Sequence, residues 1–126
     1  MKHLLLAIGL LATSPLVYSQ QAGITRTDLV RESLDVAGHD VVQVRVGIAS
    51  GVLARRHKHP GVEIAYVLEG TLQYQLDGSA PVTLTAGESL FIPAGVAHSA
   101  KNTGKGPAEE LATYFVETGK PLVMPP

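Results

Sequence analysis

Period-two alternation, broken at short intervals by turn residues, constrains this chain more than any other feature. Val42, Val44, Val46 and Ile48 alternate with Val41, Gln43, Arg45 and Gly47, which puts the first set on one face of a strand and the second on the other. Gly38-His39-Asp40, read as a turn, and Ser50-Gly51 bound the run. Similar runs follow at Val52 to Lys58, Glu63 to Leu68, Thr71 to Leu76, Val82 to Leu84, Ser89 to Ile92, Val96 to Lys101 and Leu111 to Val116. Gly70, Asp77-Gly78, Ala86-Gly87 and Pro93-Ala94-Gly95 separate them, residues that favour reversal of the chain. Beyond Gln20 no helical stripe competes with this pattern. The expected class is all-β, with short antiparallel strands closing into a sandwich or barrel. Residues 24–36 read as an irregular lead-in with room for an edge strand.

The first residues follow a different rule. Lys2 and His3 precede an apolar run from Leu4 to Leu11, Pro15 breaks it, and Val17-Tyr18-Ser19 places small residues before a cut near Gln20. The run falls well short of the ~20 residues that span a bilayer. Residues 1–19 are therefore expected to be a secretory signal peptide, which makes the protein periplasmic or secreted with no stable membrane anchor. Residues 20–119 would form one domain, and the Pro-rich residues 120–126 a loose tail. With no cysteine anywhere, an exported domain has neither disulfides nor thiolate ligands, so any metal must be held by nitrogen and oxygen. Ten basic against eleven acidic side chains give a net charge of −1, and loss of Lys2 makes it more negative. That balance argues against nucleic acid as a partner.

The chemistry concentrates in "HKHPGVEIAYVLEG", residues 57–70. On a strand, His57 and His59 share a face while Arg56 and Lys58 point away from it. Pro60-Gly61 then turns the chain so that Glu63 returns towards the same place. Farther on, the stretch Gly87 to His98 brings in a third imidazole after a tight turn. Three neutral imidazoles and a carboxylate suit a divalent transition metal (Mn, Fe, Co, Ni, Cu or Zn) and suit Ca or Mg poorly. Four protein ligands leave positions open for an exchangeable ligand. A His-x-His pair alone is an ordinary strand feature; the surrounding spacing carries the argument.

Gly51, His57, His59, Glu63 and Gly70, followed by Gly87, Pro93, Gly95, His98 and Asn102, resemble the paired motifs of the cupin superfamily at every position. The resemblance implies a small jelly-roll β-barrel, one cupin domain per chain, with one divalent transition metal held by His57, His59, Glu63 and His98. It further implies a homodimer joined through an outer sheet face or exchanged terminal strands. Cupins with this ligand set include dioxygenases, oxalate-processing enzymes, and sugar or uronate isomerases and lyases. The function expected from the resemblance is a dioxygenase-like enzyme taking a small oxygen-bearing organic substrate, with Glu63 alternating between ligand and general base. A non-catalytic metal or metabolite binding module, and an isomerase or lyase acting on a sugar or uronate, are the other readings.

Residues outside the ligand set have plainer expected roles. The motif glycines should occupy reversals that need positive φ, and Asn102 should tie down a loop. Ala65 and Val67 share the parity of Glu63 and should line the interior. Arg55 and Gln73 are expected on the surface, Phe91 and Phe115 in the core, and His39 in solvent.

Overall fold

The computed structural model describes residues 21–126, so the expected signal peptide lies outside the described residues. Nine strands follow one another: β1 (Ile24–Ser33), β2 (His39–Ile48), β3 (Leu53–His57), β4 (Gly61–Glu69), β5 (Thr71–Leu76), β6 (Val82–Thr85), β7 (Ser89–Ile92), β8 (His98–Asn102) and β9 (Ala108–Glu117). They form a five-stranded sheet, ordered β1-β2-β9-β4-β7, and a four-stranded sheet, ordered β3-β8-β5-β6. Every pairing is antiparallel. The described residues contain no helix. This is the all-β, single-domain architecture expected from the alternation.

The core follows from the period-two rule applied to both sheets. From the larger sheet, Val42, Val44, Val46 and Ile48 of β2, Ala65 and Val67 of β4, and Ala112, Tyr114 and Val116 of β9 point inward. Leu72 and Tyr74 of β5, Leu84 of β6 and Ala100 of β8 face them from the smaller sheet. Each buried Val or Leu stabilises the barrel by about 1.5–3 kcal/mol relative to exposure. Asn102, fully buried, joins the two layers: its Nδ2 donates to the carbonyls of Ile48 (2.8 Å) and Gly106 (2.9 Å), and its Oδ1 accepts from the Gly104 N–H (2.9 Å). The motif glycines Gly51, Gly70, Gly87 and Gly95 all have positive φ, between 71° and 91°.

Several local expectations change. The lead-in is a strand of ten residues with a bulge between Asp28 and Val30, and His39 begins β2 instead of sitting in a turn. Gly61 starts β4. It is small because a Cβ there would lie 1.9 Å from the Phe115 carbonyl oxygen across the β4–β9 pair. Phe91 and Phe115 are not core residues, being 58% and 38% exposed. Parity explains this: Phe91 pairs with Ile64 and Phe115 with Val62, on the outward phase of strands whose inward phase carries Glu63, Ile92 and Tyr114. Residues 120–126 depart from a loose tail. Lys58 and Met124 exchange backbone hydrogen bonds of 3.0 and 2.9 Å, and Leu122 packs against the core.

Candidate metal centre

The rims of both sheets deliver the four residues singled out above. β3 ends at His57, the next turn carries His59, the start of β4 carries Glu63, and β8 opens with His98 opposite His57. A bulge between Ala54 and His57 leaves Arg55 and Arg56 exposed while His57 turns inward. Arg56 is taken up by an ion pair with Asp77, its Nε 3.0 Å from Oδ1. The histidine rings have centroids 4.5–5.1 Å apart. One ring nitrogen from each lies within 4.8 Å of the others.

Backbone contacts decide which nitrogens these are. His57 Nδ1 lies 2.6 Å from the Arg55 carbonyl, His59 Nδ1 2.6 Å from that of Leu122, and His98 Nδ1 2.9 Å from that of Val96. A carbonyl only accepts, so each Nδ1 must carry the proton and each neutral ring keeps its lone pair on Nε2. Glu63 Oε2 sits 2.9 Å from His59 Nε2 and 3.2 Å from His98 Nε2. Three of these groups, His59, Glu63 and His98, are 2–3% exposed. Despite the short separations, His59 Nε2 and Glu63 Oε2 make no well-aligned hydrogen bond. Lone pairs facing a carboxylate in a dry pocket require positive charge between them. The three imidazoles, grouped within 4.8 Å, therefore fit a divalent transition metal through their Nε2 atoms, with the Glu63 carboxylate beside two of them and the second ring nitrogens held as metal-binding imidazoles need.

The acid–base properties express the same demand. Burial alone would raise the Glu63 carboxyl, but contacts with His59 and His98 outweigh it and hold it at about 2. Burial would lower His98, yet its contact with Glu63 and the charge there raise it above the usual histidine value. For His57 burial prevails and pushes it down to about 4, because the Arg55 carbonyl and the Glu63 charge only partly oppose it and the neighbouring histidines add to it.

The interior holds a second polar layer that the sequence reading did not single out. Tyr114 packs its ring 4.6 Å from that of His59. Glu110, two positions earlier on β9, is buried and accepts a hydrogen bond from the Tyr74 hydroxyl. Burial, followed by the charge of Glu63, pushes the Glu110 carboxyl up to about 7. Burial also raises both tyrosine hydroxyls, keeping them protonated. Arg26 reaches this layer from β1, and its positive charge offsets part of the effect of burial on the Tyr114 hydroxyl. The available signal was parity: continuing the alternation of β9 backwards from Tyr114 through Ala112 puts Glu110 inside. Of the other residues considered, Ala65 and Val67 do line the interior, while Gln73, Arg55 and His39 are exposed.

Comparison with known proteins gives a consistent picture. The sequence profile of the cupin domain matches residues 44–114. Germin-like protein subfamily 2 member 2 of Arabidopsis thaliana is 37% identical over 75 residues, covering 56% of this chain and 34% of its own length. This chain thus spans about a third of that relative. Among solved structures, a recombinant oxalate oxidase in complex with glycolate superposes with a TM-score of 0.66 at 29% identity, covering 86% of this chain and 58% of that one. A Klebsiella pneumoniae protein with a double-stranded β-helix domain superposes with a TM-score of 0.68 at 19% identity, covering 86% and 89%, and speaks for the fold alone.

Proposed function

We propose, from the premise that the chain belongs to the cupin family, that it is a metal-dependent enzyme. His57, His59, Glu63 and His98 would hold one divalent transition metal, and the substrate would be a small oxygen-bearing organic molecule. The observation that carries this reading is the set of three imidazoles, each fixed through Nδ1 by a backbone carbonyl, with Nε2 turned towards the buried Glu63 carboxylate. A bound metal would supply Lewis acidity and open coordination positions, the requirement of a dioxygenase-like reaction. The chain's own groups do the rest. The histidines hold fixed donor positions, Glu63 stays ionised and available as a proton acceptor, and the enclosing Val and Ala side chains exclude water. Glu110 supplies what a mere binding module would lack, a proton-handling carboxyl beyond the ligand set. The oxalate oxidase relative bound to glycolate supports a small oxygen-rich ligand.

On this reading the protein works outside the cytoplasm, as the leader-like residues 1–19 suggest. It pairs as a homodimer, a role for which the outer-face side chains Ile64, Tyr66, Phe91 and Phe115 are available. The test is elemental analysis of purified protein, followed by oxygen-uptake assays with enolic, phenolic and small-acid substrates. The expected content is about one divalent metal per chain, abolished by joint His57→Ala and His59→Ala substitution. Wild-type protein that neither carries nor takes up Mn, Fe, Co, Ni, Cu or Zn contradicts the metal reading. A loaded protein that turns over none of these compounds leaves the binding module in its place.

A further inference from the structure

The cross-strand register places Arg26 inside the barrel. Arg26 pairs with Val46, Val46 with Glu110, and Glu110 with Val67, and the last three are all buried. One row nearer the histidines stand Val44, Ala112 and Ala65, and one row beyond that Val42, Tyr114 and Glu63. Ala112 and Ala65 are both fully buried and small. Past this row of small side chains, the Arg26 guanidinium stands near enough to the Tyr114 hydroxyl to offset part of the rise that burial imposes on it. Tyr114 in turn lies against the His59 ring. A single tyrosine therefore separates the guanidinium from the candidate metal centre.

The guanidinium is incompletely satisfied. Its Nη2 is buried and makes no hydrogen bond, and none of the ion pairs among the described residues includes Arg26. A buried cationic nitrogen without a partner is costly, and it persists where a ligand completes it. Neutralising Glu110 does not account for Arg26. That carboxyl lies beyond ion-pair distance, and burial raises it despite the nearby cation. Tyr114, kept protonated, offers no negative charge either. What remains open is a planar N–H donor held in the barrel interior, for which an anionic oxygen is the natural complement.

We propose that Arg26 is the substrate-anchoring residue of this protein, binding through Nη2 the carboxylate of a small organic acid whose other oxygen faces the three histidines. The inference rests on the metal-dependent reading above and narrows its substrate class to carboxylates. It also gives the inward arginine of an edge strand a task beyond discouraging strand addition.

The test is calorimetric titration of glycolate, and separately of its neutral amide glycolamide, into the metal-loaded full chain. Wild type is compared with Arg26→Gln and Arg26→Lys, with metal content and circular dichroism measured on the same samples. The expected result is a loss of at least tenfold in glycolate affinity for R26Q, with metal content and glycolamide affinity unchanged. R26K, which keeps the charge but not the fork, should fall between R26Q and wild type. A smaller loss in R26Q overturns the proposal. So does a wild type that binds glycolate no more tightly than glycolamide, and this comparison decides the matter if R26Q fails to fold. Wild type that takes up no metal defeats the metal reading itself, whereas loaded wild type that binds glycolate independently of Arg26 defeats this inference alone.

Discussion

Glu110 is a carboxyl that the barrel encloses without a cation in contact, and its titration should be visible in stability. Its folded value of about 7 stands above the ordinary 4.5 because burial penalises the charged form, with the charge of Glu63 adding to it. The folded protein therefore holds a proton there that the unfolded chain has released. Stability from this group is complete below about 4.5 and is lost as pH rises through about 7. Glu110→Gln mimics the protonated form and keeps an acceptor for the Tyr74 hydroxyl. At pH 8 it should melt higher than wild type, by at least the roughly 4 °C that one kcal/mol is worth in a chain of this size. At pH 4.5 the two should coincide. Thermal melts of the metal-free proteins at both values check this, and a variant that is no more stable at pH 8 refutes the buried-acid assignment.

At the scale of elements, legibility in the sequence depended on whether a strand's own side chains carried the signal. β2 was readable because four branched apolar residues in strict alternation allow only one inward face. The paired motifs were readable because their glycines, proline and ligands are side-chain requirements at fixed spacing. The alternation that starts at Leu111 marks only part of β9, because Ala108 and Glu110 do not look like core residues until the register sets them opposite Ile48 and Val46. The same feature conceals Glu110, and the mostly exposed side chains of β1 conceal Arg26. The carbonyls that orient the histidines were not readable at all, since every residue carries one and only the fold selects Arg55, Val96 and Leu122. The Leu122 carbonyl belongs to a segment whose prolines suggested a loose end, yet it holds His59. Removal of residues 121–126 should therefore leave the barrel folded while weakening metal affinity by about 10–100-fold, the usual cost of losing such a supporting contact. Competition with a calibrated chelator measures the loss, and unchanged affinity would mean that water replaces Leu122 without consequence.

For the whole molecule, the site demands positive charge, and either a proton or a metal can satisfy it. In the metal-free protein His98 takes up a proton more readily than an ordinary histidine, because its contact with Glu63 outweighs the burial that would lower it. A histidine raised on folding contributes stability that is present below its unfolded value of 6.5 and is lost as pH climbs through the folded value. A bound metal supplies the charge without the proton, so it competes with protonation of His98 in acid and replaces the missing charge in base. The stabilisation by metal, set by concentration over dissociation constant, should therefore grow with pH. Melts from pH 5.5 to 8.5, in chelator and in a fixed excess of free Mn, Ni or Zn, should diverge towards the alkaline end. His57, held neutral down to about 4 chiefly by its burial, contributes nothing to the divergence in this window. A melting difference that stays level across the range would show that no proton is displaced when metal binds, and that His98 lies outside the coordination set.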